Sequence, residues 1–389
     1  MPKYEVYATR WDDPHIIEEL IPAKGLEFSM PLSDHGEASF SATVEPGRSF
    51  WRPSIAPVAS GILIARDGVP VWSGMVWAES QSGPRTFDFR CAEWGSFFER
   101  VQTQTYTYTA FNDHAIFRDL IARAALVSGQ DPGILLDTST AGASTSDLTI
   151  HGWDDLTVER AFRQLSEAQG GPEWYFQAAG TMDNPTRRLV LGDRLGHTTA
   201  QTVLEYVENT ELYVPPEAPP SMTMLGNLFP GQQPQALVGR GGGNVIAHPA
   251  RSRDGSSSAT MVLAIGAGEE GSQMRALATS SLLNVGYPRL TKTVSYTDVT
   301  MQATLQRHAN ADLADVAGLL TSYTLTTFDG SPDWTATPRG STVRVILDTD
   351  VYGAERPVQL DVRLLDISVQ VADDSPAQVN WLVSSTLEH

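Results

Sequence analysis

The segment GILIARDGVPVWSGMVW, residues 61–77, is apolar at almost every position outside its centre. Asp67-Gly68 at that centre predicts a two-residue hairpin turn, because a type I′ turn needs positive φ at both positions and these residue types tolerate it. A hairpin with one face in water alternates apolar and polar side chains, and this one is apolar on both faces. Both faces are therefore expected to be covered.

Two kinds of cover fit this hairpin: the domain's own core with a helix, or another subunit. The turn predicts that Arg66 faces Val69, Ile64 faces Val71 and Ile62 faces Ser73. The candidate subunit interface consists of apolar side chains from both strands, namely Ile62, Ile64, Val71, Trp72, Met75 and Trp77.

The rest of residues 1–100 predicts further short strands separated by turns rich in Gly, Pro and Asp. LEFSM and EASFSATVE are two such runs, and RTFDFRCAEW places Phe87, Phe89 and Cys91 on one side before the short helix GSFFERV. This arrangement predicts a small β-barrel closed by a terminal helix.

Residues 101–212 change to helical periodicity. NDHAIFRDLIARAAL predicts a helix capped by Asn112 or Asp113, and DDLTVERAFRQLSEAQGG predicts a second helix that ends at Gly170. Two strands joined near Asp183-Asn184-Pro185 follow them. The segment is therefore expected to be an α+β module inserted between larger β units.

A proline-rich connection over residues 213–235 precedes a second β region over residues 236–389. In that region SQMRALATSSLLNVG predicts one helix, and MQATLQRHANADLADVAGLLTS predicts a longer one. The apolar phase of PVQLDVRLLDISVQV slips by one residue between Leu364 and Leu365, which predicts a β-bulge. The stripe of the longer helix is formed by Leu305, Ala309, Leu313, Val316 and Leu320.

Together these patterns predict an α+β fold that is mainly β. Two small β-barrel domains, residues 1–100 and 236–389, are expected to flank the module and the connection. The chain of 389 residues is long enough for several cores, and 8% aromatic residues with 32 Gly and 24 Pro suit a protein with many turns. No segment has the roughly 18 consecutive apolar residues of a membrane helix, and no signal peptide is recognisable, so a protein without a membrane span is expected.

The net charge of −19, from 27 basic and 46 acidic residues, argues against tight wrapping of nucleic acid, which requires neutralising cations. The same negative charge is compatible with a channel through which nucleic acid passes, because acidic side chains on the channel wall repel phosphate and prevent the nucleic acid from adhering. Ordinary solubility explains the same charge.

Recognisable catalytic and metal-binding patterns are missing from the sequence, and neither a metal nor a cofactor is expected. The eight His lack paired-ligand spacing, and Cys91, the only cysteine, is expected to be a buried small residue. The adjacent acids lack the spacing of a calcium loop, and GRGGGN at residues 239–244 lacks the Lys-Ser/Thr ending of a P-loop. The 46 acidic residues allow the pair of carboxylates that a glycosidase needs, although no pattern in the sequence selects a particular pair.

The order of elements resembles the tail hub proteins of long-tailed bacteriophages. Their hairpin reads as an apolar strand, an Asp-Gly turn and a strand that ends in Ser-Gly-x-Val, which Asp67-Gly68, Ser73-Gly74 and Val76 match here. The next strand leads into a helix, and a helix-containing insertion and a C-terminal β region with a long helix follow. Residues 200–260 are the part of the chain that can be compared least with the tail hub proteins.

The resemblance implies a non-enzymatic structural protein of the virion tail tip, assembled in the host cytoplasm. Three copies are expected to form a ring of six barrels that joins a six-fold tail tube to a three-fold tip. The implied partners are the distal tail protein ring, the tape-measure protein and a central tip or fibre protein, with DNA passing through unbound. The hairpin would then face its own core on one side and a neighbouring barrel on the other.

Two other classes remain open from the sequence. A carbohydrate-binding or host-surface-binding tail module would place Trp51, Trp72 or Trp334 on a surface, where indole rings stack on sugars. A cell-wall hydrolase would need two carboxylates facing a cleft.

Overall fold

The computed structural model describes most of the chain, and the elements below belong to that part. The described residues are 2–45, 55–138, 140, 142–150, 156–166, 171–206, 243–256, 258–268, 272–296, 299, 301–317, 319–347, 358–373 and 375–388. The proline-rich connection at 213–235 lies outside them, as do Trp51 and Gly170. None of the helices in these ranges is long and apolar enough to cross a membrane.

Seven strands form the N-terminal part of the chain, as the alternating patterns predict. They are β1 (Tyr4–Arg10), β2 (Ile16–Ile21), β3 (Ala23–Ser29), β4 (Glu37–Thr43), β5 (Ser60–Arg66), β6 (Val69–Gln81) and β7 (Thr86–Glu93). Asp67 and Gly68 between β5 and β6 have φ of 52° and 77°, which confirms the predicted turn with positive φ at both positions.

The first module follows β7 directly. Its elements are α1 (Gly95–Phe98), β8 (Tyr106–Asn112), α2 (Asp113–Ala125), β9 (Ile134–Leu136), β10 (Thr145–Ile150), α3 (Val158–Ser166), β11 (Glu173–Thr181) and β12 (Asn184–Gly192). The Asn112 side chain accepts a hydrogen bond from the Ala115 amide at 3.2 Å, which confirms the predicted cap of α2. The helices pack on the sheet formed by β11, β12 and β9, around Phe117, Phe162 and Trp174.

The C-terminal part holds the remaining strands and the longest helix. They are β13 (Thr202–Tyr206), β14 (Ala250–Asp254), β15 (Met261–Ile265), β16 (Arg275–Thr279), β17 (Thr291–Ser295), α4 (Gln302–Val316), β18 (Leu319–Phe328), β19 (Thr342–Leu347), β20 (Val358–Val371) and β21 (Gln378–Glu388). The predicted bulge is confirmed, since the pairing of β20 with β21 shifts register between Leu364 and Asp366.

A second α+β unit, which the sequence patterns did not separate from the C-terminal β region, lies between β14 and β18. Strand β15 pairs with β16 on one side and with β17 on the other, and α4 packs on this small sheet. The helix predicted in SQMRALATSSLLNVG is wrong. Ala276 and Ala278 are buried and Leu277 is exposed, so this run has the period of a strand, and a 3₁₀ turn at Ser281–Val285 follows it.

Apart from β15, β16 and β17, the strands of the N-terminal and C-terminal parts belong to one sheet. Strand β20 pairs with β3, so the order runs β14-β18-β21-β20-β3-β4-β7-β6-β5-β1-β2, with β19 on β20 and β13 on β19. One apolar core extends across both parts, from Trp72 and Phe89 to Trp381 and Val345. The α+β, mainly β class is confirmed, whereas the strand pairings of the described residues do not close either part into a barrel.

Candidate functional site

The hairpin β5–β6, which carries the candidate interface, is covered on both faces within one chain. Ile62, Ile64 and Trp72 are 0% exposed and belong to the core of the large sheet. Met75 is 2% exposed and belongs to the core of the first module, where Trp94 and Phe98 lie. The module therefore accounts for the apolar second face without a neighbouring subunit.

The register of this hairpin differs from the expected one by a single residue. Arg66 pairs with Val69 as predicted, but a shift after Ala65 pairs Ile64 with Trp72, whereas the sequence had suggested Val71. The shift puts Trp72 in the core of the large sheet, where its indole N–H donates to the Ser29 carbonyl at 3.1 Å. The bulge explains why simple alternation misplaced these side chains.

Val71 and Trp77 are the two candidate interface residues that are only partly buried. The Trp77 indole N–H donates to the Ser96 hydroxyl at 2.7 Å, and the Arg100 guanidinium lies 4.2 Å from its ring centroid. Because a subunit contact requires accessible surface, these two positions are where the predicted interface can still be tested.

Two clefts open beside these residues. The first, about 480 Å³, lies over the seam where β20 meets β3 and is lined by Trp77, Glu27, Glu37, Arg90 and Gln370, among others. The second, about 360 Å³, is lined by Val71, Tyr175, Trp334 and Arg339, among others. Both clefts are therefore bordered by charged or aromatic side chains at the junctions between parts of the chain.

Sequence reasoning missed Arg187, which fixes the first module to the large sheet. This residue is 2% exposed, and its guanidinium donates to the carbonyls of Trp11, Pro132, Arg10 and Asp13 and to the Thr9 hydroxyl at 2.5–3.1 Å. Burial lowers its pKa to about 9, so it stays charged at neutral pH.

A signal for Arg187 was nevertheless present in the sequence. Pro185, Arg187, Leu189 and Leu191 alternate with more exposed residues along β12, and all four are buried. An arginine at a core-facing position of an otherwise apolar strand indicates a buried guanidinium, which needs hydrogen-bond acceptors around it.

A buried ion pair joins β7 to the segment before β19. Glu93 is 1% exposed and Arg339 is 7% exposed, and they are bonded through Arg339 Nη2 and Glu93 Oε1 at 2.5 Å. Glu93 also accepts from the Gly36 amide at 2.8 Å, and the Arg339 guanidinium lies 4.6 Å from the Tyr175 ring centroid. Burial raises the pKa of Glu93, and the Arg339 charge and the Gly36 amide oppose that rise.

Replacing Glu93 by Gln is expected to lower the free energy of unfolding by about 2–3 kcal/mol, because Arg339 then stays buried without a counter-charge. Adding Arg339→Met should recover part of that loss, so the double variant should be less destabilised than the sum of the two single variants. Urea unfolding of the three variants and the unchanged chain measures the coupling. Strictly additive effects would contradict a coupled pair.

Asp34, His35 and Glu159 bring ligand-type atoms within 4.8 Å of one another. The Arg163 guanidinium donates to Asp34 at 2.7 Å and also to Glu159, so the chain itself supplies a cation to this group. The cluster is thus an ion network that ties the loop after β3 to α3.

The tryptophans considered for sugar binding are not on a surface where the structure describes them. Trp72 is 0% exposed and Trp334 is 4% exposed. Cys91 is buried, as predicted. Of the Gly-rich segment at 239–244, the described Asn244 binds the backbone of β13, where it accepts from the Glu205 amide at 2.9 Å and donates to the Val203 carbonyl at 2.8 Å.

Comparison with known proteins identifies the fold. No protein-family model matches the sequence, and no curated protein matches it. Among solved structures, a tail protein from Neisseria meningitidis has a TM-score of 0.60 at 13% identity, covering 98% of this chain and 96% of that one. The 43 kDa tail protein of prophage MuSo2 from Shewanella oneidensis has a TM-score of 0.59 at 12% identity, covering 97% and 98%.

A third similar structure is the prophage tail protein gp18 from Listeria monocytogenes, with a TM-score of 0.54 at 11% identity, covering 97% of this chain and 94% of that one. The likeness therefore extends over nearly the whole chain in each case. This chain has the fold of phage tail proteins, in agreement with the resemblance carried by the hairpin and the order of elements.

Proposed function

We propose that the protein is a structural component of a phage tail or baseplate, and that it acts as the hub of the tail tip. The observation that carries the proposal is the fold, which matches phage tail proteins over 97–98% of this chain. A match of this extent spans nearly the complete chain rather than one widespread domain.

In this proposal three copies form a ring that joins a six-fold tail tube to a three-fold tip. The ring encloses a channel for DNA and the tape-measure protein, and it contacts the distal tail ring and a central tip or fibre protein. The net charge of −19 supports the channel, because an acidic surface lets DNA pass without binding it. The role is structural and requires no catalytic residue.

We expect the purified chain to form trimers as its concentration rises, because a ring of identical subunits closes by one repeated contact. Native mass spectrometry across a concentration series gives the number of chains, and electron microscopy gives the symmetry. A particle with three-fold symmetry and a central opening would support the proposal. A chain that stays monomeric throughout the series would contradict the homotrimeric ring.

A further inference from the structure

The cleft of about 480 Å³ lies on the outer face of the large sheet, where β20, β3, β4 and β7 run side by side. Gln370 pairs with Glu27, and Glu27 pairs with Ser39. Ser39 in turn pairs with Arg90. Side chains of directly paired residues lie on the same face of a sheet, and the neighbours of these four along their strands face the core. The four residues therefore form one polar row, and we call the cleft above it the seam cleft.

A tryptophan borders this row at β6. The register of β6 against β7 shifts between Val76 and Ala78, so Trp77 is the extra residue of a β-bulge, which re-aims its side chain. The bond of the indole N–H to the Ser96 hydroxyl and the Arg100 guanidinium beside the ring hold the side chain in one orientation. The indole is half-buried and lines the seam cleft, so an aromatic surface is already ordered before a ligand arrives.

The polar side chains of the seam cleft are available to a ligand. Four of them are exposed and form no side-chain hydrogen bond or ion pair with a described residue, namely Glu27, Glu37, Arg90 and Gln370. The carboxylates only accept hydrogen bonds, the guanidinium only donates them, and the amide does both. A ligand that satisfies all of these groups must therefore offer donors and acceptors together.

The lining distinguishes between classes of ligand. Nucleic acid is disfavoured, because two carboxylates and one guanidinium give the lining a net negative charge. Addition of a partner strand is blocked, because each strand beneath the cleft is already paired on both sides. A saccharide fits, since its hydroxyls both donate and accept, and the apolar face of a sugar ring stacks on an indole.

We propose that the seam cleft binds a neutral oligosaccharide. The exposed part of the Trp77 indole stacks on one sugar ring, and Glu27 and Gln370 bind hydroxyls of the rings beyond it. The row crosses three strand spacings, roughly 14 Å at the usual separation of paired strands, which is long enough for a short oligosaccharide. This binding goes beyond the proposed structural role, because the site lies within one chain and does not depend on the trimer.

Calorimetric titration of the purified chain with linear hexasaccharides of glucose, galactose, mannose and N-acetylglucosamine tests the site. We expect at least one of them to bind, and Trp77→Ala to weaken that binding about tenfold or more, because the stacking surface is lost. Trp77→Phe keeps an aromatic ring and should bind within about threefold of the unchanged chain. A hexasaccharide of galacturonic acid should bind more weakly than the neutral ligand, because its carboxylates meet Glu27 and Glu37.

Two exposed positions test the polar row without disturbing the core. Glu27→Ala and Gln370→Ala should each weaken binding about threefold or more, because each removes a hydrogen-bonding group from the ligand. Gln359→Ala is the matched control, since Gln359 is exposed in the same strand β20 and does not line the cleft. Thermal unfolding verifies that every variant folds.

The contrary results differ in what they overturn. If none of the neutral hexasaccharides binds, the inference is wrong while the structural role in the tail stands. If a sugar binds equally well to the Trp77, Glu27 and Gln370 variants, the seam cleft is not the site. An equal loss in Gln359→Ala would likewise contradict a local site. If no sugar binds and Trp77→Ala impairs trimer formation in native mass spectrometry, the cleft is a contact between copies of the chain.

Discussion

Trp72→Asp is expected to prevent the single chain from folding, and not merely to prevent its assembly. Trp72 is 0% exposed in the core of the large sheet, and its indole N–H is bonded to the Ser29 carbonyl. Replacing a large buried aromatic side chain costs about 3–5 kcal/mol in lost burial and cavity formation, and placing a carboxylate there adds the cost of burying a charge. Because a whole domain is stable by about 5–15 kcal/mol, most of that stability should be lost.

Val69→Asp is the matched control for this change. Val69 lies in the same strand, three residues earlier, and is 58% exposed. An exposed substitution of this kind is expected to alter the free energy of unfolding by no more than about 0.5 kcal/mol. Circular dichroism and urea unfolding measure both variants. A Trp72→Asp chain that folds like the unchanged protein but fails to assemble would assign Trp72 to a subunit interface and contradict its place in the core.

Arg187→Ala is expected to lower the free energy of unfolding by about 3–5 kcal/mol, because it removes a buried cation on which several carbonyls depend. The guanidinium bonds to four backbone carbonyls and the Thr9 hydroxyl, and it lies 3.8 Å from the Trp94 ring centroid. Without it the carbonyls of Trp11 and Pro132 lose a donor, and the loop after β1 loses its attachment to β12.

The neighbouring Arg188 provides the control for this prediction. Arg188 is exposed on the opposite side of the same strand, so Arg188→Ala should leave stability within about 0.5 kcal/mol of the unchanged chain. Urea unfolding of the two alanine variants gives the comparison. Equal effects of the two substitutions would mean that the bonds of Arg187 to the loop contribute little to stability.

Local patterns were sufficient wherever a residue's neighbours in sequence decide its conformation. Asp67-Gly68 predicted the turn because few residue types accept positive φ, and Asn112 predicted the start of α2 because its side chain satisfies a free amide. The slip of phase at Leu364 predicted the bulge in β20, since side chains alternate strictly along a strand.

Reasoning from local patterns failed where one sequence pattern is compatible with both a helix and a strand. The segment SQMRALATSSLLNVG contains enough Ala and Leu to suit a helix, but its alanines also fit the tight space between β16 and α4. Helix propensity is a weak preference, and packing against a neighbouring element overrides it. The second α+β unit was therefore not separated from the C-terminal β region.

The sequence by itself determined the mainly β class, the turns, the capped helix and the resemblance to tail hub proteins, because these depend on short-range geometry and on the order of elements. Only the tertiary structure decided that β20 pairs with β3 in one continuous sheet and that the first module covers the second face of the hairpin. It also decided which carbonyls surround Arg187. These contacts join residues that are distant in the chain, and local propensities carry no information on which distant surfaces meet.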